Sequence, residues 1–345
     1  MKAKLAILAL LTVLVLGLTA CDDGTTGGGG GGGGAGGGGG GHFAVIDSVE
    51  NLHVGFSIKN AHNPYLIAMY ATMQEVASEM GFQLSTRNAG GDMVQQHADV
   101  ESLIAVGVDV IVMDPQDPLA AIAKGEIIAA AGIPLFLINA GADPATIFET
   151  LIQSNNVGLG NAVGEWVADQ FPSGTTLNIG MLSGNPGNPV GFARRNGFLQ
   201  GLSERQLGRD NATNFNVVTQ GWGAWSVEGG LTATEDMLVA RPDINVIFAE
   251  NDAKAMGAIT AVENAGRAGE IIIVGVDGMR TALEEIQAGR YHATGVNSPI
   301  ELVRLAMPIV VDFMLGVDRN IPALINTVPG AIHAGNLADG WDRAF

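Results

Sequence analysis

Polar and aromatic side chains stand repeatedly at points of this sequence where an apolar run ends. Asn251 follows the run Val-Ile-Phe-Ala at 246–249, and Asp277 follows the run at 271–276. Further residues of similar chemistry occupy comparable positions: Asn63, Tyr65, Arg87, Asp114, Asn139, Asn188, Arg194, Trp225 and Asn297. Amide, carboxylate and guanidinium groups offer hydrogen-bonding atoms in fixed planar geometry, and aromatic rings offer flat apolar faces. Brought together, these groups would suit a small neutral polyhydroxyl molecule. Singly, an Asn or Asp at such a place is also a common turn former or helix N-cap.

Catalytic and metal-binding patterns are poorly supported. The six histidines show no metal-ligand spacing, and the sequence has neither a Gly-x-Ser-x-Gly elbow nor a Walker phosphate loop. Asp252 and Asp277 could form a carboxylate pair, but nothing marks one of them as the acid. We therefore predict no catalytic residue, no metal site and no cofactor.

The elements that would position these residues follow from the apolar pattern. Short apolar runs alternate with helical patterns of 10–15 residues from about residue 52, and the alternation restarts near residue 176. This alternation is typical of βαβ units with right-handed crossovers, whose strands are buried on both faces. Ligands of open α/β sheets bind at the carboxyl ends of the strands. We predict an α/β fold with two doubly wound parallel-sheet lobes joined by a hinge.

The first 50 residues predict export and attachment to a membrane. Lys2 and Lys4 precede an apolar run that is short for a membrane span, so residues 1–20 indicate a secretory signal. Leu18-Thr19-Ala20-Cys21 resembles the bacterial lipobox, which implies acylation of Cys21, the only cysteine. Residues 21–50 are rich in glycine and are expected to form a flexible tether. These features predict a lipid-anchored protein in the periplasm or at the cell surface.

The charge balance excludes one class of partner. The formal net charge is −18 at pH 7. So acidic a chain is not expected to bind the phosphate backbone of a nucleic acid. We predict no nucleic-acid partner, and contact with the membrane through the lipid anchor alone.

Four segments carry a family resemblance: 63–65 (Asn-Pro-Tyr), 194–198 (Arg-Arg-Asn-Gly-Phe), 248–252 (Phe-Ala-Glu-Asn-Asp) and 274–278 (Val-Gly-Val-Asp-Gly). They resemble motifs of periplasmic sugar-binding proteins of the ribose/galactose type, in the right order over about residues 52–327. The resemblance implies a monomeric solute-binding protein that captures a sugar or sugar alcohol between its lobes and delivers it to an ABC importer permease. The expected lobes are 51–153 with 298–325 and 154–297 with 326–345.

The resemblance also implies roles for individual residues. Tyr65 and Trp225 would stack on the sugar, and six polar residues would bind its hydroxyls: Asn63, Asn139, Arg194, Asn251, Asp277 and Asn297. The sequence departs from the ribose type at Asn139-Ala140, where that type has Asp-Arg, and Leu66 stands where a second aromatic would follow Tyr65. Two charge-assisted contacts are thereby lost, so we expect another pentose or a sugar alcohol rather than ribose.

Three other functions compete with this interpretation of the sequence. The effector domain of a LacI-type regulator would need an N-terminal helix-turn-helix, whereas this sequence has an apolar leader and glycines there. A secreted enzyme acting on sugars would need two carboxyls in distinct environments. A sugar sensor that feeds a chemoreceptor stays an alternative beside transport.

Overall fold

A computed structural model describes residues 43–345 of the chain. They form two α/β lobes, each built on a six-stranded sheet. The predicted fold class is thereby confirmed. The predicted signal, Cys21 and the glycine run lie outside the described residues.

The first lobe is an all-parallel sheet with helices on both faces. Its strand order is β11-β5-β4-β3-β1-β2. The strands are β1 (His53–Ile58), β2 (Gln83–Asn88), β3 (Val110–Asp114), β4 (Leu135–Ile138), β5 (Thr150–Gln153) and β11 (Leu324–Asn326). The helices are α1 (Pro64–Met80), α2 (Met93–Ala105), α3 (Ala121–Ala130) and α9 (Pro299–Met314). Alternate residues of the buried strands face opposite sides, so α1 and α9 cover one face while α2 and α3 cover the other.

The second lobe repeats the plan with one reversed edge strand. Its order is β12-β10-β9-β8-β6-β7, and only β12 runs antiparallel to its neighbour. The strands are β6 (Leu177–Ser183), β7 (Phe215–Trp222), β8 (Val246–Ala249), β9 (Ile272–Asp277), β10 (Ala293–Val296) and β12 (Ala331–His333). The helices are α4 (Asn156–Asp169), α5 (Pro189–Asp210), α6 (Val227–Ala240), α7 (Asp252–Asn264) and α8 (Arg280–Gln287). A 3-10 segment, Ala334–Arg343, follows β12.

The chain crosses between the lobes three times: from β5 into α4, from β10 into α9, and from β11 into β12. Near two of these crossings, the Ser154 hydroxyl donates to Asn297 Oδ1 at 2.5 Å. Short connections that lie close together permit a hinge rotation of one lobe against the other.

Two features differ from the pattern read in the sequence. The tether was expected to extend to residue 50, but Phe43 and Ile46 already pack on the first lobe, and Ile46 N donates to Met314 O at 3.0 Å. Apolar residues at 43–46 supply surface that the glycine run lacks. Strands β5, β11 and β12 were not predicted, because runs of three or four residues show too little periodicity.

Within residues 43–345, no helix combines the length and apolarity needed to cross a bilayer. The same residues hold no cluster of three or more His, Cys, Asp or Glu side chains placed to bind a metal ion.

Candidate functional site

A cavity of about 540 Å³ lies between the lobes, where the carboxyl ends of both sheets meet. All eight residues predicted to bind a ligand line it, together with Asn188 from the wider strand-end set. The lining residues are Lys59, Asn60, Asn63, Pro64, Tyr65, Leu66, Gln116, Asn139, Asn185, Asn188, Val190, Arg194, Trp225, Asn251, Ala253, Asp277, Met279, Asn297 and Phe345.

Three of the lining asparagines cap helices that begin at the cavity. Asn63 Oδ1 accepts a hydrogen bond from Leu66 N at 2.9 Å, and equivalent bonds fix Asn188 at α5 and Asn251 at α7. The capping and ligand-binding explanations are therefore compatible, because each side chain caps a helix with its oxygen while lining the cavity. The positive ends of three helix dipoles point toward the same space.

Arg194 and Asp277 form a buried ion pair in the cavity wall. Arg194 Nη1 donates to Asp277 Oδ1 at 2.9 Å and to the Glu250 carbonyl at 2.6 Å, while Nε donates to Asn156 Oδ1. Asn297 Nδ2 donates to the same Asp277 Oδ1 at 3.0 Å. Among the described residues, no hydrogen bond reaches Asp277 Oδ2, so this oxygen can accept one from a hydroxyl group.

Close packing of α4 on α5 holds Arg194 in place. A Cβ atom at Gly160 would overlap the Arg194 carbonyl, and one at Gly197 would overlap the Val157 carbonyl. The glycines let the two backbones approach, and the Arg194 side chain reaches Asp277 at the end of β9.

Asp252 holds the turn that carries Asp277. Asp277 has a φ of 151°, and the next two N–H groups, of Gly278 and Met279, donate to Asp252 Oδ2 at 2.8 and 2.9 Å. The Tyr291 and Thr294 hydroxyls donate to Asp252 Oδ1. Burial, and then the charge of Asp277, raise the pKa of Asp252 to about 6. These four bonds give Asp252 a structural role, in which it holds the turn after β9.

Trp225 is held by an unusual backbone conformation and by a buried lysine side chain. Ala224 and Trp225 both have left-handed φ values, 45° and 63°, which non-glycine residues adopt at some cost. The ring packs on Gly184, where a Cβ atom would overlap it, and the Lys254 Nζ lies 3.8 Å from the ring centroid. Lys254 is fully buried and its Nζ has no hydrogen-bond partner among the described residues. Burial lowers the pKa of Lys254 to about 7.

Glu250 connects the loops around Trp225. Its carboxylate is fully buried, accepts from Gly184 N at 2.7 Å and pairs with Arg195. The motif Phe-Ala-Glu-Asn-Asp thus contributes a lining asparagine and, beside it, a glutamate that fixes the loop after β6.

The first lobe contributes a second, smaller polar group. Asn139, with a left-handed φ of 68°, donates from Nδ2 to Asp114 Oδ1 at 3.2 Å. Lys59 Nζ lies 3.3 Å from the same oxygen. Asp114 is fully buried behind these two residues, and this burial raises its pKa, although Lys59 opposes the shift. Asp114 therefore supports the wall without lining it.

Of two first-lobe residues from the strand-end set, Tyr65 lies in the cavity wall and Arg87 does not. The Tyr65 ring lines the cavity, and its hydroxyl is buried with no hydrogen-bond partner in residues 43–345. Burial raises the pKa of this hydroxyl, so it stays a neutral donor. Arg87 points away from the cavity and donates to Ser102 Oγ and to the Thr86 carbonyl.

Several lining residues were not predicted from the sequence, among them Lys59, Gln116, Asn185 and Phe345. The first three stand in the same strand-end turns as predicted residues, so the turns themselves were the available signal. Phe345 follows no apolar run of a strand, and the sequence pattern gave no signal for it.

Comparison with known proteins agrees with this architecture. Residues 54–316 match the family model described as periplasmic binding protein domain. The ribose import binding protein of Bacillus subtilis (strain 168) is 30% identical over 272 residues, which cover 78% of this chain and 85% of that protein.

Two solved structures are similar in fold and sequence. A periplasmic solute-binding protein of an ABC transporter from Actinobacillus succinogenes 130z, with bound D-allose, has a TM-score of 0.75 at 28% identity, covering 84% of this chain and all of that one. A protein from Mycobacterium smegmatis in complex with β-D-fucofuranose has a TM-score of 0.73 at 27% identity, covering 84% and 94%. The chain belongs to the periplasmic binding protein family.

Proposed function

We propose that this protein binds a sugar or a sugar alcohol in the cavity between its lobes and delivers it to the permease of an ABC importer. The observation that carries the proposal is the convergence of Asp277, Arg194, Asn297 and Trp225 on one cavity. The ribose import binding protein of Bacillus subtilis, and the two solved structures with bound D-allose and β-D-fucofuranose, support the same class of ligand.

The wall chemistry favours an uncharged ligand with several hydroxyl groups. Each of its two cationic side chains, Arg194 and Lys59, is already paired with a carboxylate, so neither is left to neutralise an anion. Amide groups and the free oxygen of Asp277 can bind hydroxyls, while the rings of Tyr65 and Trp225 can cover C–H faces. A ligand that contacts both lobes would bind the closed form more tightly than the open form. Ligand binding would therefore shift the equilibrium toward the closed form.

The dipeptide Asn139-Ala140 supports a ligand preference that differs from that of the ribose-type proteins. The Asn139 amide nitrogen is engaged by Asp114, which leaves its carbonyl oxygen for the cavity. Where the ribose type has Asp-Arg, this chain thus offers one acceptor and no guanidinium. Another pentose, a hexose or a polyol is the expected ligand.

A thermal-shift screen with pentoses, hexoses and polyols tests the proposal, because a bound ligand raises the melting temperature by mass action. At least one compound should raise the melting temperature of the wild type, and calorimetry should give one site per chain. An unchanged melting temperature with every sugar and polyol would contradict the proposal. Incubation with the bound compound should return it chemically unaltered, since we propose binding without catalysis.

We also propose that the protein is exported and anchored as a monomeric lipoprotein through Cys21. Mass spectrometry of protein extracted from membranes should find an acylated N-terminal cysteine in the wild type. The Cys21→Ser variant should appear in the soluble fraction. Equal membrane association of both variants would contradict the anchor.

A further inference from the structure

The aromatic surface of the cavity has a component that the sequence did not indicate. Helix α1 contributes Tyr65, but the next residue, Leu66, is 2% exposed and belongs to the core of the first lobe. The flat apolar surface from α1 is therefore a single ring. Phe345 lines the same cavity, and it comes from the opposite lobe.

Segment 331–345 belongs to the second lobe. Strand β12 pairs with β10, and Ile332 and Ala344 lie in the core of that lobe, with Trp341 packed against it. The carbonyl of Phe345 accepts a hydrogen bond from Arg280 N at 2.9 Å, at the start of α8. The backbone of Phe345 is thus fixed to the second lobe by burial of its neighbour and by this bond.

The side chains of the same segment reach the first lobe. The Phe345 ring meets the Tyr65 ring edge-on, with centroids 5.5 Å apart and planes at 88°. Arg343 forms an ion pair with Glu301, at the start of α9, with Nε–Oε1 at 2.5 Å and Nη2–Oε2 at 2.9 Å. Both contacts cross from one lobe to the other, and a hinge rotation that opens the cavity would separate them.

We infer that Phe345 is a ligand-binding residue that forms a third aromatic wall, supplied by the second lobe and closed against Tyr65. This inference rests on the proposed function. The edge-on contact with Phe345 restricts the Tyr65 ring, and Phe345 and Trp225 both line the cavity in which a C–H surface of a sugar would lie. Phe345 therefore takes the place of the aromatic that is absent at Leu66.

The experiment compares Phe345→Ala and Phe345→Leu with Phe192→Ala. Phe192 lies on α5 of the same lobe, is 60% exposed and does not line the cavity, so it is a matched control. Calorimetric titrations use D-allose, D-ribose and myo-inositol on the wild type and on each variant. Melting temperatures without ligand are measured in parallel, to separate a loss of binding from a loss of folding.

Phe345→Ala should weaken the binding of any sugar that the wild type binds by about tenfold, with a ligand-free melting temperature close to that of the wild type. Phe345→Leu keeps apolar volume but loses the flat face, and should weaken binding by a smaller factor. Phe192→Ala should bind like the wild type. Equal affinity of wild type and Phe345→Ala would overturn the inference while leaving the proposed function intact. A wild type that binds neither these three compounds nor any other sugar or polyol of the thermal-shift screen would contradict the proposed function, and the inference with it.

A fourth variant separates ligand contact from simple bridging of the lobes. Glu301→Gln weakens the Arg343 bridge without altering the cavity wall. If Phe345 acts by contact with the sugar, Glu301→Gln should change affinity much less than Phe345→Ala. Equal losses in the two variants would assign Phe345 to bridging alone and overturn the ligand contact.

Discussion

Arg194 and Asp277 meet inside the cavity at 2.9 Å, and each is the sole ion-pair partner of the other among residues 43–345. Arg194 is 3% exposed and Asp277 is 8% exposed. The same pair therefore serves the proposed site and the stability of the second lobe, and a substitution has to be chosen so that the two effects are separated.

Asp277→Asn should weaken sugar binding while the protein stays folded, because an amide keeps an acceptor for Arg194 but loses the charge that strengthens hydrogen bonds to hydroxyls. Asp277→Ala leaves the guanidinium buried without a partner and should also lower the free energy of unfolding by roughly 3–5 kcal/mol. Calorimetry and urea denaturation measure the two effects. The surface pair Arg205–Asp169 supplies the control, and Asp169→Asn should leave both unchanged. An Asp277→Ala variant with wild-type stability would show that the pair is dispensable for folding.

Gly184→Ala should weaken binding through Trp225. A Cβ atom at position 184 would overlap the Trp225 ring, and the Gly184 backbone cannot retreat easily because its N–H is bonded to Glu250. Loss of one stacked face predicts a decrease in affinity of about tenfold. Gly208→Ala is the matched control, since a Cβ there meets no atom within 4 Å and alanine favours helix α5. Similar affinities for the two variants would show that Trp225 does not need its observed position.

Asn139→Asp should destabilise the protein at neutral pH. The new carboxylate would lie about 3 Å from the buried Asp114 carboxylate, where a hydrogen bond now exists. Two such groups share a proton readily, so the folded state should bind protons more strongly than the unfolded state. The loss of unfolding free energy relative to wild type should therefore shrink as the pH falls from 7 to 5. The double variant Asp114→Asn with Asn139→Asp restores one donor and one acceptor and should recover part of the loss. A loss independent of pH would contradict the assigned pair.

Lys254 should make stability depend on pH above neutrality. Burial is the main cause that lowers its pKa to about 7; Glu250 opposes that shift and Arg194 adds to it. Between about pH 7 and pH 10 the unfolded chain carries a proton on Lys254 that the folded chain lacks. The wild type should therefore gain stability relative to Lys254→Met as the pH rises through this range. Urea denaturation at several pH values measures the difference. Parallel pH profiles for the two proteins would contradict a depressed pKa.

The strand ends could be located from the sequence because buried parallel strands are continuous apolar runs. Asp277 ends the run of β9, and Asn251 and Asn63 stand in the turns that follow β8 and β1. The parallel topology brings these strand ends to one side of each sheet. The roles of Asn63 and Asn251 as N-caps were predictable for the same reason, since each precedes a helix.

The direction of each side chain could not be read in this way. Arg87 and Asp114 occupy the same pattern, yet Arg87 turns toward α2 and Asp114 lies behind Asn139. Alternation along a strand decides which face a residue joins, and the sequence does not give the exact residue at which a strand ends. Phe345 was missed because its place depends on a return of the chain more than 40 residues after the last predicted strand end, at Asn297.

The first lobe is built from two stretches of sequence that are separated by most of the second lobe. This order affects how the chain folds during its synthesis. The core of the first lobe includes Leu302, Met307 and Phe313 of α9, and these residues follow nearly the whole of the second lobe in the sequence. A growing polypeptide that has reached residue 153 therefore exposes the apolar face that α9 later covers. The first lobe cannot finish folding before the ribosome has translated α9. Until then, the nascent chain offers chaperones an uncovered apolar surface to bind.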